Sequence, residues 1–296
     1  MNQETFDFED RNGPVPAHRH KNPDGTTGGW VADTAQVAET ATIGSDACVF
    51  GQARVSGKAF VINRARVYGD ALVFGLSQVR DNARVSGNAK VCGKAQVSGQ
   101  AQVLDHAIVS TNAEISGDAM IYLHAKVYGN ANVFDSAHVS NMARVHGCAR
   151  VFGQACVNEN ARVFEKAKVF DNAMVGGNAE IRGNSKVYEL AIVCGNSVIF
   201  GRAQIFAKAK VFGDARINGS AKIFGKAKVY GGAHIEDFVQ IGGIACVEGK
   251  AYVYGFDKIY DGQIICDTNS VQGLNVLPFS GDFPIRVLES KRVFGW

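Results

Sequence analysis

Every sixth residue from Val31 to Ile265 is valine or isoleucine, forty consecutive positions without an insertion or a change of phase. A helix would bury one face at a period of 3.6 residues, and this pattern does not supply that period. Two residues before each aliphatic position from Val37 to Ile259 stands alanine, with five exceptions. The exceptions inside the array are Ser77, Ser185 and Ser197, with Val239 and Asp257 near its end. A spacing of two puts both side chains on one side of a strand. Two residues after the aliphatic stand Gly57, Gly69, Gly87, Asn63, Asp81 and Asp171, residue types that accept positive φ at a turn. Each hexad, such as ARVSGK or ARVYGD, therefore reads as a short strand ending in a corner.

A strand-corner unit cannot bury its apolar side alone. Three such sides close into a triangular coil of eighteen residues, and stacked coils bury the aliphatic files. The expected fold is all-β, a solenoid of about thirteen coils whose strands stack about 4.8 Å apart. All five prolines and both tryptophans fall outside or at the border of the array. Proline removes a backbone donor that the next coil needs, and open end coils need covers against edge-to-edge pairing. Residues 1–30, with a KNPDG turn, are thus expected to form an N-terminal cap, 31–265 the repeat array, and 266–296, with Pro278 and Pro284, a C-terminal cap.

Composition narrows the function classes. Charged residues are 20% of the chain and the formal net charge is +3, so the overall field is too weak to argue for nucleic acid or an anionic membrane. The opening MNQETFDFED lacks the pattern of an export signal, and nowhere do eighteen apolar residues run together. Seven cysteines form an odd set without a CxxC pair, which points away from a disulfide framework or a zinc site. A soluble cytoplasmic protein without cofactor or metal is expected. Ordered threonine ranks, as ice binding would need, are missing, since only Thr34, Thr40, Thr42 and Thr111 fall in or beside the array. The array's strands carry more Lys and Arg than Asp and Glu, which disfavours mimicry of DNA.

The hexads resemble the left-handed β-helix superfamily of hexapeptide acyltransferases over about four fifths of the chain. That resemblance implies a single-stranded left-handed parallel β-helix, a hexapeptide-repeat solenoid. The lead-in DGTTGGWVADTAQV, followed by uninterrupted AxVxG units, looks more like bacterial and phage hexapeptide-repeat proteins, some of them labelled acetyltransferases. The setting it implies is a bacterial or phage-infected cell. Acyltransferases of this class typically place a histidine base near a subunit interface, beside a loop protruding from the helix. Forty hexads in one phase leave no room for such a loop. Under that alternative reading, acyl transfer dependent on coenzyme A, His106 and His124 are the candidate bases: eighteen residues apart, they should stack at one corner. His18 and His20 form an HxH, one pair of ligands and too few for zinc.

With the inward positions nearly constant, information resides in the outward ones. Stepping by eighteen along the residue after each aliphatic gives Phe134, Phe152, Phe170, Tyr188, Phe206 and Phe224. The residue before the aliphatic contributes Arg150, Lys168, Lys186 and Lys222 on the same face. Aromatic and basic chains so interleaved suit self-association or a protein partner, and nucleic acid less well. Aromatics occupy that position in sixteen of the thirty-seven hexads from Val37 to Val253, and stacked rings stabilise a sheet with no ligand at all. The expectation is a noncatalytic scaffold or binding module that forms homo-oligomers or holds a protein partner through this face.

Overall fold

From Gln36 to Ile259 each hexad appears in the structure as a two-residue strand followed by a two-residue turn. The computed structural model describes residues 4–266 and the strands Ser270–Val271 and Arg286–Val287. No helix occurs among the described residues. The expected C-terminal cap, with Pro278, Pro284 and Trp296, otherwise lies outside them.

The chain forms two compact units, Met1–Phe152 and Gly153–Trp296. In each, strands eighteen residues apart pair in parallel and in register, so that like positions face one another. In the first unit Leu72 lies beside Lys90 and Val73 beside Val91. In the second, Lys186 lies beside Gln204 and Val187 beside Ile205. The rungs are regular: Leu72 N–H donates to Ala89, Phe74 to Val91 and Leu76 to Gly93, at 2.9, 3.0 and 2.7 Å. Both units are parallel β-solenoids.

The core is what the six-residue rhythm demands. From Ile43 to Val253 the aliphatic files are essentially inaccessible to solvent, as are the alanines beside them. Serine substitutes for alanine by satisfying its own hydroxyl. Ser77, Ser185 and Ser197 donate to the carbonyls of Phe74, Arg182 and Cys194, three residues back across the corner, at 2.9, 2.7 and 2.8 Å. A buried hydroxyl so paired carries little penalty.

Corner residues take positive φ, and stacking leaves them little room. A Cβ at Gly195 (φ 73°) would lie 2.6 Å from the amide nitrogen of Gly213 in the next coil. Where a side chain does occupy this position, an acidic one turns the crowding into a hydrogen bond. Asp81 accepts the N–H of Gly99 at 3.0 Å, and Asp105 that of Leu123 at 3.0 Å. Glu165 and Asp237 accept those of Gly183 and Gly255 at 2.8 and 3.1 Å. The carboxylates are therefore acceptors for the following corner as well as residues tolerant of positive φ.

At the N-terminus, β1 (Thr5–Asp7) pairs antiparallel with β2 (Pro14–Lys21), which pairs antiparallel with β3 (Thr27–Ala32). Strand β3 then joins the parallel stack, with Trp30 beside Cys48 and Val31 beside Val49. A register shift between Arg19 and Lys21 separates the two histidines of the HxH. His20 turns inward against the Ala41 carbonyl at 3.1 Å, and His18 turns outward to Asp33 at 2.9 Å.

Candidate docking face

The aromatic positions follow the strand directly and precede the corner, so each side chain points away from the core and lies against its counterpart eighteen residues on. In the first unit the rings of Phe134 and Phe152 are parallel within 3°, with centroids 4.8 Å apart. In the second, Phe170, Tyr188, Phe206 and Phe224 form a file with successive spacings of 4.9, 5.0 and 5.3 Å. The six residues thus appear as a pair in one unit and a file of four in the other. All six are half-buried, because each ring covers part of a neighbour's face.

The basic residues lie at the start of the same strands. Arg150 is exposed, with its guanidinium 5.0 Å from the Phe134 ring centroid and 5.4 Å from that of Phe152. Such a cation over two rings contributes about 0.5–1 kcal/mol at an exposed site. Lys168 sits half-buried directly beside exposed Lys186, two like charges in adjacent rungs. Lys222 is exposed beside Gln204. The Tyr188 hydroxyl bonds to the Gln204 amide oxygen at 3.3 Å. Burial pushes the Tyr188 phenol up, and the nearby Glu189 and Asp171 carboxylates push the same way, so the ring stays neutral in ordinary buffers. Neither the strands of the Phe134–Phe152 pair nor those of the file from Phe170 to Phe224 carry a carboxylate.

The histidines form a separate feature. His106 and His124 lie face to face on an exposed corner, 4.9 Å apart and 7° from parallel. His146 stacks on Tyr128 at 4.7 Å, while His138 meets Tyr122 edge-on at 6.2 Å. No group of three or more His, Cys, Asp or Glu side chains with metal-binding geometry occurs among the described residues.

A second aromatic and basic assembly, absent from the sequence reading, lies under the N-terminal arm. Phe8 stacks on Phe50 at 4.8 Å, Phe50 on Tyr68 at 5.0 Å and Phe6 on Trp30 at 4.7 Å. Arg66 lies 5.2 Å from the Phe50 centroid, donates to the carbonyl oxygen of Phe8, and approaches the Glu9 carboxylate at 3.8 Å. Arg19 covers Trp30 at 4.5 Å and donates to the Ser45 carbonyl at 2.8 Å. Phe50 occupies the position after a buried aliphatic, as Phe134 does, yet it is 4% exposed because the arm covers it. The sequence signal was the alternation of aromatic and acidic residues in Phe6-Asp7-Phe8-Glu9.

The chain matches no family model and no curated protein.

Proposed function

We propose that this chain is a noncatalytic hexapeptide-repeat scaffold that associates with protein, its own copies or a different protein, through its aromatic and basic positions, Phe134, Arg150 and Phe152 in the first unit and Lys168 to Phe224 in the second. The observation that supports this reading is the parallel stacking of half-buried rings beside exposed Arg150, Lys186 and Lys222. Stacked rings held by backbone register lose little conformational freedom on docking, and aromatic and arginine side chains are the residues in which binding energy concentrates. Ring stacking alone would stabilise the coils whatever the strand chains were. The nearby cations add charge complementarity toward an acidic surface.

The test is the combined substitution Phe152→Ser, Phe170→Ser and Phe206→Ser. These side chains point outward, so the circular dichroism spectrum should persist. The mass in solution should fall toward that of a single chain, or capture of the partner should weaken. Unchanged mass together with unchanged capture would retire the proposal.

A further inference from the structure

The resident arm shows what this surface chemistry recognises. Besides the pairing of β1 with β2 and the Phe6–Trp30 stack, three contacts fasten it to the Phe50 platform: Phe8 on the Phe50 ring, Arg66 to the Phe8 carbonyl, and Arg66 near Glu9. The receiving platform consists of an aromatic residue, an arginine sixteen positions later and a second aromatic eighteen positions later, namely Phe50, Arg66 and Tyr68. Phe134, Arg150 and Phe152 repeat these offsets. Their geometry repeats as well. The ring spacings are 5.0 and 4.8 Å, and the guanidinium lies 5.2 and 5.0 Å from the first ring. The two platforms differ in cover. Phe50 is buried and Arg66 half-buried, whereas Phe134 is half-buried and Arg150 exposed.

We infer that Phe134, Arg150 and Phe152 form a docking site for a short segment of a partner protein that alternates aromatic and acidic side chains and bends after the docked ring, in the manner of Phe6-Asp7-Phe8-Glu9. The inference rests on the docking face proposed above and names its occupant. An aromatic side chain of the segment stacks on Phe134, its backbone carbonyl accepts from Arg150, and an acidic neighbour pairs with the same guanidinium. In the resident arm the strand Thr5–Asp7 ends just before Phe8 and Glu9 takes φ 56°, so the segment runs extended up to the docked ring and turns after it, which brings the carbonyl and the acidic side chain to the same arginine.

The probe is a fluorescent peptide copying residues 4–12 of this chain, titrated against the intact protein, whose own arm already fills the Phe50 platform. Saturable binding is expected, weakened about fivefold by Arg150→Gln and abolished by Phe134→Ser with Phe152→Ser. Arg66→Gln should leave it unchanged, and a peptide with both phenylalanines replaced by alanine should not bind. Binding lost on Arg66→Gln but not on Arg150→Gln would mean exchange with the resident arm and would overturn the inference. Binding that survives loss of the peptide's phenylalanines would reduce it to charge attraction and overturn it equally. If the peptide fails to bind while the triple serine variant still changes mass or capture, this occupant is wrong and the docking face stands.

Discussion

Phe224 leans its ring across Gly242: a Cβ at Gly242 would lie 2.6 Å from two of that ring's carbons and 3.0 Å from the Tyr260 ring. The aromatic file changes character here. Phe224 stacks on Phe206 on one side and meets Tyr260 edge-on at 5.9 Å on the other, passing over the rung where glycine stands. Gly242→Ala should displace the ring and leave the coil in place, since the crowded atoms are the far end of a flexible side chain. The expected loss is about 1 kcal/mol or less. Aromatic proton shifts of Phe224 and Tyr260 should move, with the melting temperature nearly unchanged. Unmoved ring signals would show that the glycine is not what lets Phe224 lean.

Ala207 adopts φ 59° at a corner, a conformation that its Cβ disfavours and that no side-chain acceptor can repay. Ala207→Gly should stabilise the second unit. Relief of about 1–2 kcal/mol is partly offset by the larger unfolded-state entropy of glycine, leaving a gain of about 0.5–1 kcal/mol. Thermal or denaturant unfolding checks the sign. A destabilised variant would mean that the alanine methyl makes a contact worth more than the strain.

Asp81 couples a corner to pH. The Gly99 N–H is the main influence holding its carboxyl below the ordinary aspartate value; burial opposes it, and the Asn63 amide and the Arg80 guanidinium add to it. With the folded value depressed, the stabilisation is fully present above the ordinary aspartate value. It disappears as pH falls through the folded value. Protonation should therefore weaken protection of the Gly99 amide at strongly acidic pH, and Asp81→Ala should remove that pH dependence. An Asp81 carboxyl that titrates at the ordinary value by NMR would refute the coupling.

The interior was legible because packing allows so few answers there. Val73, Val91 and Val109 must stack, and Ala71 must be small beside them, so period and residue type together specify coil, register and core. The N-terminal arm was not legible, because Phe8 meets Phe50 through a contact that no repeat dictates. Nor was the parting of His18 and His20 legible: strand alternation puts them on one side until a register shift turns them apart. The aromatic positions could be counted from the sequence. The placement of the Arg150 guanidinium within reach of both stacked rings is a rotamer choice, and periodicity does not encode it.

The arm's docking can be read through Cys48, which packs against the cluster of Phe8, Ala17, Ala32 and Phe50. Burial is the main influence pushing this thiol up, opposed by the nearby Arg66 and Arg19 guanidinia. Phe8→Ala removes a ring that is 2% exposed, a loss of about 3–5 kcal/mol if the site does not collapse. That exceeds what a short peripheral hairpin can spare, so β1 should detach while the coils persist. Water then reaches Cys48, its thiol falls toward the ordinary range, and the thiolate fraction at pH 8 rises. Because the thiol titrates higher when the arm is docked, raising the pH should itself favour detachment. Mass-resolved alkylation should show Cys48 labelling faster in the variant, with Cys92, whose thiol is likewise raised by burial, as internal reference. Equal acceleration at both would indicate general loosening of the coils, and no acceleration at Cys48 would mean that the arm stays docked without Phe8.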